Sequence, residues 1–241
     1  MRTLIIIPAY CEGPVVGDVV REVRAVRPDA DVVVIDDCSS DDTGAVARDA
    51  GAKVVRLSVN LGIGGAVQTG FKYAAELDYD AVVQVDGDGQ HDPGELAKIL
   101  DPLREGQADV VIGSRFVEKS DYRAPFARRV GIALFGIIAG SVMERRIADT
   151  TSGFRALGRE AFHFLARNYP VDFPDAETLV LLHRAGFQLL EVPVSMRPRR
   201  SGTSSTRLLG SLYYPFKQLL GVVVALLRHL PEQKGPPRGT R

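Results

Sequence analysis

The chain has 241 residues, 45% hydrophobic and 25% charged, and its 30 basic and 30 acidic side chains cancel. That is enough for one large domain or two small ones, with a sizeable core. The balance is uneven: Arg197–Arg241 holds nine Lys/Arg and one acid, a net of +8, so the first 196 residues carry −8. An acidic body with a basic end points to an anionic surface, either phosphate or lipid headgroups. It argues against nucleic acid, because the basic end lacks a series of aromatics for base stacking. Cys11 and Cys38 are the only cysteines; with no CxxC or Cys/His cluster they argue against a zinc site and read as free thiols, or as a disulfide if the strand ends they follow lie together.

In chain order, Met1-Arg2-Thr3-Leu4 runs straight into an apolar stretch, so a signal peptide is not expected. Short apolar runs at Leu4–Ile7, Val32–Ile35, Val54–Leu57, Ala81–Val85 and Val110–Ile112 predict strands. Between them the spacing predicts helices near 15–27, 42–50, 64–78 and 94–104. The βαβα rhythm predicts a mostly parallel sheet flanked by helices, with ligands at the carboxyl ends of the strands. The polar segments Pro8–Glu12, Asp36–Asp42, Asn60–Gly65, Asp86–Gln90 and Gly113–Phe116 all fall at those ends.

Further on, Val130–Met143 is an uncharged run of 14 residues, too short to span a bilayer; it can lie in the membrane interface plane, but core or oligomer packing is favoured. A strand at Gly153–Leu157, helices at 159–168 and 175–186 and a strand at Gln188–Pro193 follow. The predicted organisation is a catalytic domain over 1–207, a last helix over 208–230 suited to a membrane surface or a partner, and a disordered tail over 231–241.

The most informative segment is Asp86-Gly87-Asp88-Gly89-Gln90. Two acids spaced i and i+2 at a strand end point the same way and repel unless a cation lies between them. Their oxygens suit Mg or Mn, and the glycines leave room for a diphosphate. Taken alone, Asp-Gly is also ordinary turn chemistry. Asn60–Gly65 opens a helix with glycines, which suits phosphate. Asp41 or Ser40 can cap the next helix, whereas Asp36 and Asp37 sit too early for capping and can accept from a base or ribose. The histidines, His91 included, show no metal spacing and read as structural or surface residues.

Together IPAYCE, VVVIDDCSSDDT, NLGIGGAVQTGF, VQVDGDGQHDP, GSRF, DTTSGFRA and RRSGTSS resemble the family 2 glycosyltransferases. Within them the chain is similar to the bacterial branch related to dolichol-phosphate (polyprenyl-phosphate) mannose synthases. The resemblance covers roughly residues 3–207 and implies the GT-A nucleotide-diphosphosugar transferase fold. It implies that Pro8, Tyr10 and Glu12 contact the nucleoside, and that Asp36 or Asp37 binds base or ribose. It further implies that Asp86, Asp88 and Gln90 hold the metal and donor diphosphate. Arg115 and Arg128 match arginines near the acceptor phosphate, and Arg199, with Arg200 as the alternative, the late arginine at the diphosphate. Asp149, Thr151 and Ser152 fall in the segment that shapes the acceptor side. Two positions depart from the pattern: Cys11 stands for the usual Asn and Cys38 for the usual Gly or Asn.

These matches imply a metal-dependent, inverting transfer of a sugar from a nucleotide diphosphosugar to a lipid phosphate. An ionised phosphate acceptor needs no general base; a hydroxyl acceptor does, and Glu177 or Asp175 is then the candidate. An acid in a first helical turn, as Glu177 is, also has a purely structural rationale. The expected location is the cytoplasm, peripheral at the inner face of the cell membrane, docked through the basic end or beside an integral-membrane partner. A nicotinamide dehydrogenase is excluded because no GxGxxG follows the first strand. A nucleotidyltransferase lacks its glycine-rich loop, and a non-catalytic scaffold has no need of paired acids.

Overall fold

Seven strands form one sheet in a computed structural model that describes residues 1–117, 147–170 and 176–199. In chain order these are β1 (Thr3–Ala9), β2 (Asp31–Asp36), β3 (Lys53–Arg56), β4 (Ala81–Gln84), β5 (Val110–Ser114), β6 (Arg155–Gly158) and β7 (Leu189–Pro193). Their spatial order is β3-β2-β1-β4-β6-β5-β7. β1 runs parallel to β2 and β4, β2 to β3, and β5 to β7. β6 alone is antiparallel to both its neighbours, β4 and β5. The mostly parallel sheet of the sequence reading is present, with this one reversed strand wedged inside it.

Apolar runs buried on both faces explain the two cores. Leu4, Ile6, Val33, Ile35 and Val82 point to one side, where they meet α3 (Gly62–Glu76), α5 (Arg159–Asn168) and α6 (Ala176–Arg184). Ile5, Ile7, Val32, Val34 and Val83 point to the other, toward α1 (Gly13–Val26), α2 (Thr43–Asp49) and α4 (Leu96–Arg104). Period-2 alternation of strand side chains thus fills both layers from one continuous apolar run. α3 lies close on β1: a Cβ at Gly70 would sit 2.4 Å from Ile6 Cγ2. A 3-10 turn, Pro93–Glu95, precedes α4, capped by Asp92, whose Oδ1 accepts from the Gly94 amide at 2.9 Å.

The predicted elements match the observed ones to within two or three residues. The predicted strand at Gly153–Leu157 begins later, at Arg155, because its antiparallel partner β4 ends at Gln84, the residue opposite Arg155. The Val130–Met143 run, Arg128, Asp175, Arg200, the expected helix at 208–230 and the tail lie outside the described residues. No helix among the described residues is long and apolar enough to cross a membrane.

Candidate active site

The carboxyl ends of β1, β2 and β4 open onto a cavity of about 750 Å3, of the size that takes a small ligand or cofactor. Pro8, Tyr10 and Glu12 line it from β1, Asp37 from β2, Gly62 from α3, and Asp86 and Asp88 from β4. Thr151, Gly153 and Arg199 line it from the second half of the chain. Residues nearly two hundred positions apart therefore face one space.

The β1 exit is pinned to the β2 exit by its own amides. The N–H groups of Cys11, Glu12 and Gly13 donate to Ser39 Oγ, Thr43 Oγ1 and Asp41 Oδ2 at 3.0, 2.9 and 3.1 Å. Asp41 also accepts from the Thr43 amide at 3.1 Å, so its role is to hold this loop; the N-cap of α2 is Asp42, not the expected Asp41 or Ser40, and it makes no side-chain cap hydrogen bond. Cys11 and Cys38 have φ of +54° and +61°, in the left-handed region that favours Gly or Asn. This explains why Asn or Gly is usual at the two positions. Both thiols are free.

The two neighbouring acids of β2 have different fates. Asp36 ends the strand and is fully buried, accepting from the Ser39 amide and Arg56 Nη1, each at 2.9 Å. It faces α2, where a Cβ at Gly44 would lie 2.8 Å from its Oδ2. Asp37 lies past the strand end and faces the cavity, with Oδ1 accepting from the Leu61 amide at 2.7 Å. Burial pushes the Asp37 carboxyl above its usual range. Of the pair, Asp37 is the one placed to meet a ligand.

At the β4 exit, Asp86 and Asp88 both line the cavity. Asp88 Oδ1 accepts from the Gln90 amide at 3.0 Å. Burial first, then the charge of Asp86, pushes the Asp88 carboxyl above its usual range. The two glycines that matter most here are Gly87 and Gly153. A Cβ at Gly87 would approach the Pro8 carbonyl to 3.1 Å; one at Gly153 would come within 3.0 Å of Asp86 Oδ1. Any side chain at Gly153 would cover the carboxylate. Gln90 contributes its backbone rather than a cavity wall: its carbonyl accepts from the Arg197 amide at 2.8 Å.

Arg199 crosses the cavity. Its Nη2 donates to Glu12 Oε1 at 2.7 Å and its Nε lies 3.6 Å from Asp88 Oδ2. Burial raises the Glu12 carboxyl, opposed by this guanidinium, while the buried Glu12 Oε2 has no hydrogen-bond partner among the described residues. Glu12, Asp86 and Asp88 thus form an acidic wall that calls for positive charge. No group of three or more His, Cys, Asp or Glu among the described residues is arranged to hold a metal by itself. Two carboxylates suit Mg or Mn nonetheless, since such ions commonly take the rest of their shell from phosphate oxygens and water.

Arg115 is placed outside the cavity wall, in a forked ion pair. Its Nε and Nη2 donate to Asp149 at 2.7 Å each, and Nη2 also donates to Thr151 Oγ1 at 2.8 Å. Ser152 is buried and donates to the Gly113 carbonyl at 2.6 Å. Glu177 sits in the first turn of α6 and is not among the described residues that line the cavity. Sequence reasoning missed Gln84, which lines the cavity, and His91, buried behind Asp86. The signal for Gln84 was present: it is the one polar residue in the run Ala81–Val85.

The sheet order and the crevice at its strand ends are those of the GT-A fold. Crystal structures of glucosyl-3-phosphoglycerate synthase from Mycobacterium tuberculosis share the fold. One, in complex with Mn2+, UDP and glucosyl-3-phosphoglycerate, has a TM-score of 0.69 at 22% identity, covering 94% of this chain and 78% of that one. Another contains Mg2+ and UDP.

The chain belongs to glycosyl transferase family 2, whose model matches residues 4–165. Among its relatives, the polyprenol monophosphomannose synthase of Mycolicibacterium smegmatis is 32% identical over 213 residues, 84% of this chain and 80% of the relative. The undecaprenyl-phosphate mannosyltransferase of Micrococcus luteus is 32% identical over 219 residues, 85% and 87% of the two chains. Within the family the chain is thus related to the polyprenyl-phosphate mannose synthases.

Proposed function

We propose that this enzyme transfers a sugar from a nucleotide diphosphosugar to a polyprenyl phosphate, with a divalent cation and with inversion at the anomeric carbon. One observation carries the reading: Asp86, Asp88 and Arg199 converge in a single cavity with the β1 and β2 exits. The names of the relatives support the lipid-phosphate acceptor.

In this reading Tyr10 and Asp37 hold the nucleoside, and the Gly62 end of α3 lies beside the diphosphate. Asp86 and Asp88 would hold Mg or Mn, which when bound stabilises negative charge on the leaving diphosphate. Arg199 leaves Glu12 and adds a guanidinium to the same charge. An oxygen of the acceptor phosphate forms the new bond to the anomeric carbon as the bond to the diphosphate breaks. No proton moves, because the acceptor is already an anion at neutral pH, so no general base is required. Arg115 keeps the Asp149–Thr151 segment in place beside this oxygen, and Arg128 remains the candidate for direct contact with the acceptor phosphate. The basic C-terminal segment docks the enzyme on an anionic membrane surface or an integral-membrane partner at its cytoplasmic face.

Asp88→Asn tests the reading. Turnover is expected to vanish while the circular dichroism spectrum and cooperative melting persist; full activity would remove the metal role. A thermal-shift panel of nucleotide diphosphosugars, with and without Mn2+ or Mg2+, identifies the donor, since a ligand stabilises in proportion to the logarithm of its concentration over Kd. A panel in which no sugar nucleotide raises the melting temperature would reject a nucleotide-sugar donor.

A further inference from the structure

We propose that His91 is a positioning residue for the acid pair: its ring accepts from the Asp86 amide and lies beside the Asp86 carboxylate, and its backbone ties the β4 exit to the segment that delivers Arg199. The inference rests on the reading of Asp86 as a cation ligand.

His91 is 4% exposed, and a buried polar ring of this kind is held by partners. Both of its nitrogens address the same residue. The Asp86 amide donates to His91 Nδ1 at 3.0 Å, which assigns the ring proton to Nε2. That Nε2 faces Asp86 Oδ2 at 3.5 Å, while Gln84 Nε2 stands 3.5 Å from the other oxygen. The carboxylate therefore has the ring beside one oxygen and an amide beside the other, and it lines the cavity.

The ring is itself locked. It stacks on Phe154, with centroids 4.8 Å apart and planes at 25°, and Phe154 is fully buried next to the cavity residue Gly153. The backbone of His91 forms a bridge with Met196, and the Gln90 carbonyl accepts from the Arg197 amide at 2.8 Å. Two residues beyond Arg197, Arg199 reaches Glu12 and Asp88. The residue thus meets Asp86 through its ring and the approach of the arginine through its main chain. A histidine that merely filled core space would not set one nitrogen on the amide and the other beside the carboxylate of a single cavity residue. Outer partners that orient a ligand commonly change cation affinity by ~10–100-fold when removed.

The test measures Mn2+ binding to the full chain by the electron paramagnetic resonance of free Mn2+, for wild type, Asp86→Asn, His91→Phe and His91→Asn. His91→Phe keeps the stacking on Phe154 and removes both polar contacts. It is expected to melt cooperatively and to bind Mn2+ about 10-fold or more weakly. His91→Asn restores an acceptor for the Asp86 amide and is expected to lose only part of that affinity. Wild-type Mn2+ affinity in His91→Phe would overturn the proposal even if turnover fell, because the ring would then be merely structural. Should His91→Phe fail to fold, unchanged affinity in His91→Asn overturns the claim that the ring orients the carboxylate. If wild type and Asp86→Asn bind Mn2+ alike, the metal reading itself fails and this inference falls with it.

Discussion

Removing the carboxylate of Asp149 should unfold much of the stability of this enzyme without touching the cavity acids. Asp149 is fully buried and accepts from Arg115 Nε and Nη2 at 2.7 Å each, from the Arg115 amide at 3.1 Å and from Thr151 Oγ1 at 3.1 Å. Its own amide donates to Glu191 Oε1 at 2.7 Å, beside the Ala148 amide on Oε2 at 2.8 Å. The Arg115 side chain is only 16% exposed, so solvent cannot replace the lost counter-charge. Asp149→Ala leaves that guanidinium without its carboxylate, with Thr151 Oγ1 still accepting from Nη2, and should cost about 3–5 kcal/mol. That is a large share of the ~5–15 kcal/mol that a domain ordinarily has. Asp149→Asn keeps the volume and one acceptor, and should cost about 2–3 kcal/mol. Replacing both partners, with Arg115→Met and Asp149→Leu, should recover much of the loss, because the buried charge that lost its counter-ion goes with them. Urea unfolding at constant m-value measures all three. A loss below ~1 kcal/mol for Asp149→Ala would refute the view that this pair is a buried buttress.

Four further outcomes are expected. Gly70→Ala, a change that normally favours a helix, should destabilise by about 1–3 kcal/mol, because its Cβ would lie 2.4 Å from Ile6 Cγ2; calorimetry in the Ile6→Val background should show partial recovery. Cys38→Gly should raise stability by ~1 kcal/mol by relieving the left-handed backbone at φ +61°, and a lower melting temperature would contradict this. In metal-free protein the raised Asp88 and Glu12 carboxyls hold their protons above their ordinary values of 3.8 and 4.5, where the unfolded chain has already released them. Stability from these groups therefore falls as pH rises through that window and then levels. The melting advantage of Asp88→Asn over wild type should grow across it; an advantage independent of pH would exclude the effect. Finally, removal of residues 208–241 should abolish binding to anionic lipid vesicles, and intact binding would disprove docking through the basic end.

Much of the site was legible in the sequence because its parts are local. Asp86 and Asp88 are two residues apart at the end of an apolar run, and a strand places both at its carboxyl end wherever that strand lies. The same holds for the Pro8–Glu12 and Asn60–Gly65 exits. Asp36 and Asp37 were not separable, because their difference depends on where β2 stops: Asp36 continues the face of Val32 and Val34 toward α2, and Asp37 turns away. His91 was read as structural because its meaning lies in contacts with Phe154 and Met196, 63 and 105 positions away. Arg115 matched an acceptor-side arginine, yet its fork is taken by Asp149 and Thr151, a pairing that motif spacing does not encode.

The sequence by itself determined the layered α/β class, the helix and strand order and the placing of polar motifs at strand ends. All of these follow from hydrophobic periodicity and turn chemistry within a few neighbouring residues. Only the tertiary structure decided that β6 enters antiparallel between β4 and β5, that Asp37 rather than Asp36 faces the cavity, and that Arg199 bridges Glu12 and Asp88. Those outcomes depend on which buried polar group finds a partner when distant segments pack together, and that competition is settled by the whole core at once.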